Sequence, residues 1–374
     1  MDTVLSLERT TFRSQVANAL APVDPVATDD HGVLLAYRAL AERGWLAPHW
    51  PTELGGAGAT EIETALVHEQ LVEHGVPDLD FAVSVAYAGS CVLQAGTDEQ
   101  RRAHLPAVAR GDARFAICFT EPDAGSDLAA LRCRAEPDGD GFVLYGRKLY
   151  SQTAARATFA LVAARVRDTS VVAADTRGIT LFLVGLDDSN VLRRTVPNVT
   201  GIDFTEVVLD GVRVVRDAVV GEIGSGWSTI TNALALERTG FEQYLHIRRW
   251  FSSCARRASV AGARPDPALT DRIVELATRL DAAGAMAWRL VHDQAEGNGV
   301  DPVAAAATKW WVTELAGPVA DLALDVAGDD ALPDRLPVTE PLGAAYREAP
   351  GMTLSGGASE IMLVTIAAVG LGLR

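Results

Sequence analysis

Apolar positions in the first part of the chain recur at intervals of three and four, and they predict helices over Val4–Leu20, His31–Arg43, Ala59–His74 and Asp98–Ala109. Pro- and Gly-rich turns separate them, and Trp45 and Trp50 in the Gly44–Gly58 loop read as packing residues. From Phe115 to about Val220 the period shortens. Phe115–Phe119 reads as a strand about to turn, and further strands are predicted at Phe142–Tyr145, Phe159–Val166, Gly178–Gly185 and Phe204–Val215. Asp138-Gly139, Asp140-Gly141 and Asp210-Gly211 supply turns, so the expectation is a compact antiparallel β unit. Beyond Gly226 the helical period returns over Trp227–Ala261, Pro267–Glu296, Pro302–Ala327 and Glu360–Leu371, which suggests a bundle.

Composition narrows the function classes. The chain has 374 residues, of which 48% are hydrophobic, enough for two or three domains. A net charge of −16 with no basic stripe argues against nucleic acid as a partner. No uncharged apolar run reaches the ~20 residues of a spanning helix, so no membrane insertion is expected. Glu8, Arg9 and Arg13 interrupt any signal-peptide core, which places the expected location in the cytoplasm. Cys91, Cys118, Cys133 and Cys254 have no metal or redox spacing and read as free buried thiols. The seven histidines do not pair at helical ligand spacing, so no metal is expected. Lysine occurs only at Lys148 and Lys309.

Two stretches carry candidate chemistry. In Thr120-Glu121-Pro122-Asp123-Ala124-Gly125-Ser126-Asp127 the hydroxyls of Thr120 and Ser126 flank a turn whose amides could hold a flat or phosphorylated ligand. Composition alone favours an ordinary polar loop. In the predicted helix from Trp227, Glu237 completes an apolar stripe of Trp227, Ile230, Leu234, Phe241 and Tyr244. A carboxylate there is either desolvated toward a base poised near neutrality or paired with a neighbouring arginine, and periodicity leaves both readings open.

The wording of the loop changes the weighting. Thr-Glu-Pro-x-Ala-Gly-Ser-Asp resembles the signature of the acyl-CoA dehydrogenase family, flavoenzymes that oxidise acyl thioesters between the α and β carbons. Matching segments run in family order along the chain: Gly44–Pro51 with Gly55-Gly56, Gly96–Gln100, Gly141–Lys148, Val220–Trp227, Leu236-Glu237-Arg238 and Gly356–Ile361. The resemblance implies a mainly α fold with a β-barrel-like middle domain. Its parts would be an N-terminal α-helical domain (1–114), a middle β domain (115–222) and a C-terminal four-helix bundle (223–374), with flavin and acyl chain where the three meet.

It also implies roles. Most members carry the base immediately before the Gly-Thr-x-Glu/Gln-Ile motif, where this chain has Gly356; a minority, similar to isovaleryl-CoA dehydrogenase, carry it on the bundle helix before an arginine. Glu237 with Arg238 as orienting partner matches the minority, with Glu242 and Glu360 as weaker alternatives. Glu360 reads rather as the start of the last helix after Ser359 as N-cap. For FAD the resemblance assigns Phe119 and Thr120 to the isoalloxazine edge and Gly125 and Ser126 to the diphosphate or thioester side. It sets Tyr150 and Gln152 where an aromatic and a Ser or Thr normally lie, and it includes Gly357 and Glu360 in the cofactor motif. The expected substrate is an acyl-CoA or acyl-carrier-protein thioester, and the electron acceptor an electron-transfer flavoprotein. The assembly is expected to be a homo-oligomer or a heteromer with a related subunit.

Departures bear on these roles. The Arg-x-x-Phe-Gly segment is replaced by Arg248-Arg249-Trp250-Phe251, Arg256-Arg257 and Ala263-Arg264-Pro265; Gly-Gly-x-Gly by Ala327-Gly328-Asp329-Asp330; and the motif Thr by Ala358. They resemble a divergent, largely actinobacterial subgroup, some of whose heteromers contain a subunit without flavin or base. Two rival readings follow: a silent partner subunit, and a flavin oxidase or N-oxygenase on the same fold.

Overall fold

The computed structural model describes residues 7–23, 30–166, 176–237, 239–260, 266–328 and 340–373. The fold is mainly α with a mixed sheet at its middle. The N-terminal helices are α1 (Leu7–Leu20), α2 (Asp30–Ala41), α3 (Glu61–Glu73), α4 (Leu79–Phe81), α5 (Ser90–Ala95) and α6 (Asp98–Ala109). A π-helical segment, Ala82–Gly89, joins α4 to α5. This stretch shows no helical period in the sequence because it is apolar on nearly every face; Ala82, Val83, Val85 and Ala88 are all buried. Trp50 is fully buried and its ring lies where a Cβ on Gly89 would sit, so the Gly44–Gly58 loop packs on the π segment.

The strands are β1 (Phe115–Cys118), β2 (Arg134–Asp138), β3 (Gly141–Gln152), β4 (Phe159–Val166), β5 (Ile179–Gly185), β6 (Val191–Val196), β7 (Phe204–Val215) and β8 (Val219–Val220). They form one sheet in the order β6-β7-β3-β2-β4-β5-β8, with β1 also on β4. The expected antiparallel unit is therefore corrected to a mixed sheet: β1 and β2 both run parallel to β4. They lie end to end along one edge of it, β1 beside Phe159–Val162 and β2 beside Arg165 and Val166. The chain keeps its direction between them, so the whole Thr120–Asp127 loop is extruded at the seam. Gly139-Asp140 closes the β2–β3 hairpin, whereas Asp210-Gly211 is no turn; Gly211 (φ +80°) lies opposite a register shift inside β7.

The C-terminal helices are α7 (Gly226–Glu237), α8 (Phe241–Val260), α9 (Pro267–Ala295), α10 (Pro302–Thr313), α11 (Ala316–Ala327), α12 (Pro341–Met352) and α13 (Ser359–Thr365). Two predicted helices are thus each two. The break at Gly240 (φ +71°) separates α7 from α8, and Glu314-Leu315 separates α10 from α11. The N-cap of α13 is Ala358, not Ser359; the Ser359 hydroxyl instead donates to Glu314 Oε1 at 2.7 Å. α12 is masked in the sequence by Gly343, Pro350 and Gly351, although Glu340 caps it and Pro341 opens it.

Apolar side chains gather in three cores, one under the N-terminal helices, one inside the C-terminal helices and one on the sheet. α3 serves the first two at once, with Val67 and Leu71 in one and Ile62 and Leu66 in the other. All four cysteines are free and buried, and burial pushes the Cys91 thiol up to about 12. No helix among the described residues is long and apolar enough to cross a membrane.

Candidate active site

The extruded loop is shaped from beneath. Glu121, inside it, is buried and accepts from the amides of Arg132 (2.6 Å) and Cys133 (2.8 Å) at the far end of the loop. Lys148 on β3 has no exposed surface; its ammonium donates to Glu121 Oε1 at 2.8 Å and to the Phe119 carbonyl at 2.9 Å. Glu121 and Ala124 exchange backbone hydrogen bonds, and Leu149 N donates to Thr120 O. These bonds consume the inner polar groups and leave the rim free. The Thr120 and Ser126 hydroxyls and the Gly125 amide have no protein partner among the described residues, and a Cβ on Gly125 would meet open space. Phe119 is buried at the root, while Gly125 and Ser126 are exposed.

The end of β3 is brought against this loop by the Leu149–Thr120 bond. Between Lys148 and Ser151 the register with β7 slips, and Tyr150 takes φ +57° with about half its surface exposed (55%). Thr153 follows at φ +64°, held by its hydroxyl to Phe115 O at 2.9 Å. Two L-residues in the left-handed region within four positions are a local store of strain, which surrounding structure must hold in place. Tyr150 packs edge-on to Phe204, and Gln152 is half-buried.

α7 carries Glu237 at its last position; the Glu237 side chain and the whole of Arg238 lie outside the described residues. The turn that follows is well placed nonetheless. A Cβ on Gly240 would come within 2.9 Å of Lys309 Cα, so the turn sits directly on α10. Lys309 is fully buried, and its ammonium reaches the carbonyls of Met352 (3.0 Å) and Gly357 (2.8 Å). One lysine therefore gathers the end of the Glu237 helix and the loop before Glu360. Glu360 is exposed in the first turn of α13, and Gly357 has φ +105°.

The apolar stripe that frames Glu237 in the sequence does not exist as a single face. Ile230 and Trp227 pack on the N-terminal core, whereas Phe241 and Tyr244 belong to the C-terminal core. Beyond the break, Glu242 accepts from Tyr87 OH of the π segment at 2.6 Å. Nearby, Asp78 Oδ2 is shared by His68 Nε2 (2.6 Å) and His246 Nε2 (3.1 Å). Burial opposes charge on His246, but the Asp78 carboxylate outweighs it and the pKa is pushed up to about 9; the histidines in turn hold Asp78 well below the usual carboxylate range. Asp78, Glu242 and His246 present ligand atoms within 4.8 Å of one another, but both Asp78 and Glu242 already accept short hydrogen bonds and the group reads as an ion-pair network. A cavity of about 940 Å³ lies elsewhere, between α8, the end of α3, the end of α11 and the start of α12.

Family models described as acyl-CoA dehydrogenase N-terminal, middle and C-terminal domains match residues 6–112, 116–212 and 224–371. The chain belongs to the acyl-CoA dehydrogenase family. It is an oxidoreductase acting on CH–CH groups. Among curated relatives, acyl-CoA dehydrogenase FadE26 of Mycobacterium tuberculosis is 29% identical over 98% of this chain and 96% of its own length. Acyl-CoA dehydrogenase FadE34 of the same organism is 31% identical over 97% of this chain, which spans only about half (48%) of that relative. Among solved structures, the ChsE4–ChsE5 complex from Mycobacterium tuberculosis aligns over the full chain with a TM-score of 0.87 at 25% identity.

Acyl-CoA dehydrogenases are flavoproteins, and the residues present fit such a group. The loop rim offers hydroxyl and amide donors with no internal partner beside open space, next to an exposed tyrosine held in a strained conformation. The Lys148 and Lys309 roles were missed by motif reasoning. Their signal lies in the composition: of the lysine and arginine side chains only these two are lysines.

Proposed function

We propose that this acyl-CoA dehydrogenase removes hydrogen across the α,β-bond of an acyl-CoA or acyl-carrier-protein thioester, giving the trans-2-enoyl product, with FAD bound by its own loop residues. Phe119 and Thr120 would meet the isoalloxazine edge, Gly125 and Ser126 the diphosphate or thioester, Tyr150 and Gln152 the face and N5 side, and Gly357 and Glu360 the far rim. FAD held there supplies the hydride acceptor. Glu237 takes the pro-R α-proton and Arg238 orients it. The supporting observation is the seating of the Gly240 turn on Lys309, whose ammonium also holds Gly357. The end of α7 and the C-terminal loop, the two places where the family resemblance implies a base, thus share one support.

Electrons would leave to an electron-transfer flavoprotein, and the expected location is the cytoplasm. We place domain limits at 1–114, 115–222 and 223–374. An oligomer is supported by exposed Leu363, Val364, Val369, Leu371 and Leu373 along and beyond α13, an apolar surface that a subunit would cover. A related chain as partner is favoured by the ChsE4–ChsE5 complex and by FadE34, about twice the length of this chain.

Anaerobic addition of acyl-CoAs to the flavin-loaded protein tests the reading. Bleaching near ~450 nm that is lost, by about 10²-fold or more in rate, in Glu237→Gln supports both the reaction and the base. A protein that takes up no FAD sinks it.

A further inference from the structure

Ala86 and Tyr87 are the partly exposed residues of the π segment, and the Tyr87 hydroxyl reaches Glu242 in the first turn of α8. The segment runs between the two halves of the site. It packs against α7 on one side, and on the other the Ser84 hydroxyl accepts from Phe115 N at 3.0 Å in β1, the strand that leads to Phe119 and Thr120. π-helical turns within helices recur at functional sites. One turn beyond Glu242 comes His246, and Glu348 of α12 lies within its electrostatic reach. Among the described residues these side chains are only partly matched. Glu348 makes no hydrogen bond or ion pair, His246 bonds only through Nε2, and Glu242 only through Oε2. Gln243, on the flank of the same helix face, is buried with its side-chain oxygen unpaired.

The spacing between these groups is that of one bridging atom. Glu242, His246 and Asp78 each offer a polar atom within 4.8 Å of the others, yet no hydrogen bond or ion pair joins Glu242 to His246. A hydroxyl between a carboxylate and an imidazolium spans such a separation with two hydrogen bonds of about 2.8 Å, donating to one and accepting from the other. The surroundings favour a neutral group. The carboxylates of Asp78, Glu242 and Glu348 stand against the cations of His246, Arg347 and Arg249, the last of which Glu340 also attracts. A terminal carboxylate or ammonium would add an unmatched charge to that balance. Burial, with Asp78 adding to it, holds Glu348 above the usual carboxylate range against the pull of His246, Arg347 and Arg249. His246 nevertheless keeps 23% of its side-chain surface, so these groups line a recess that is reachable and poor in water.

We propose that the acyl group this enzyme oxidises carries a hydroxyl on its distal part, received in the recess between Tyr87, Glu242, His246 and Glu348. On the dehydrogenase reading above, on which this assignment rests, the reacting carbons lie between Glu237 and the flavin loop. An acyl chain leaving that point along the π segment meets Tyr87 and Glu242 first, because Glu242 directly follows the Gly240 turn.

Equilibrium titration of the flavin-loaded, full-length protein with 2-enoyl-CoA thioesters tests the recess without turnover. Each ω-hydroxyenoyl-CoA is compared with the unsubstituted thioester of equal length over a series of chain lengths, and ω-carboxy and ω-ammonio thioesters serve as charged controls. The expected result is a preference of about tenfold or more for the hydroxylated thioester at the length that reaches the recess, the scale of one hydrogen bond to a charged group. That ratio should fall by about threefold or more in Glu242→Gln and in His246→Gln, because the unsubstituted thioester makes no use of either group. Tyr87→Phe, which adds no volume, should lower it as well and serves where another variant folds poorly. A ratio near one at every length (water alone filling the recess), no binding of any thioester, a tighter hold on a charged terminus, or a ratio that survives in all three variants overturns the assignment. Preference without substrate-driven bleaching removes the dehydrogenase reading and keeps the recess; bleaching without preference does the reverse.

Discussion

Lys148 shows what a single buried charge can do for a loop. Its ammonium has three donors on a flexible stem, and it spends them on a carboxylate and a carbonyl that belong to the two sides of the Thr120 turn. The planar fork of an arginine would not fit that tripod, which accounts for a lysine in an arginine-rich chain. Breaking a buried pair leaves its partner desolvated, at a cost of about 3–5 kcal/mol. Glu121 keeps two amide donors, so Lys148→Met should lie at the lower end, about 3 kcal/mol in urea unfolding. Flavin affinity should fall with it. Tyr150 is the opposite case: its left-handed backbone is set by the slip between β3 and β7, and no propensity of tyrosine announces it.

At the level of elements, the α7–α8 break decides where Glu237 stands. The apolar stripe in the sequence runs through residue 237 because apolar positions of two separate helices fall at helical spacing in the chain, while Trp227 and Ile230 go to one core and Phe241 and Tyr244 to another. The signal for the break was Gly240 itself, whose positive φ and close approach to Lys309 exclude a side chain. Gly240→Ala should therefore lift the turn off α10. We expect a loss of at least about 1 kcal/mol from the left-handed backbone alone, plus the displacement of α10. Substrate-driven bleaching should slow more than stability suggests. A variant with wild-type bleaching rate would show that the turn's seat does not position Glu237.

Across the whole molecule, the N-terminal and C-terminal helices are joined by charge as well as by packing. Asp78 follows α3 and binds His246 on α8, while Glu69 on α3 takes Arg13 of α1 and Arg248 of α8. His246 has a folded pKa of about 9 against roughly 6.5 for an unfolded histidine. Its contribution to stability is therefore complete below about pH 6.5 and is lost as pH rises through the folded value. The melting-temperature difference between wild type and His246→Gln should be largest near pH 6 and shrink steadily toward pH 9.5. A difference independent of pH would remove the charged pair as its source.

The linear pattern was sufficient for the family, the succession of helical, β and helical regions, and the bounds of β4 and β7, because local periodicity and the Thr120–Asp127 wording are properties of neighbours in the chain. It was blind where a residue's neighbours come from far away. The parallel seam that extrudes the loop, the two buried lysines that hold it and the Gly357 turn, and the Asp78–His246 pair all join positions separated by tens to hundreds of residues. α4, the π segment and α5 were illegible for a related reason, since a helix buried on all sides has no polar face to mark its period. Sequence alone determined which groups are available for chemistry; only the tertiary structure decided which carbonyls, carboxylates and turns each of them meets, because burial and pairing are set by contacts that no local pattern encodes.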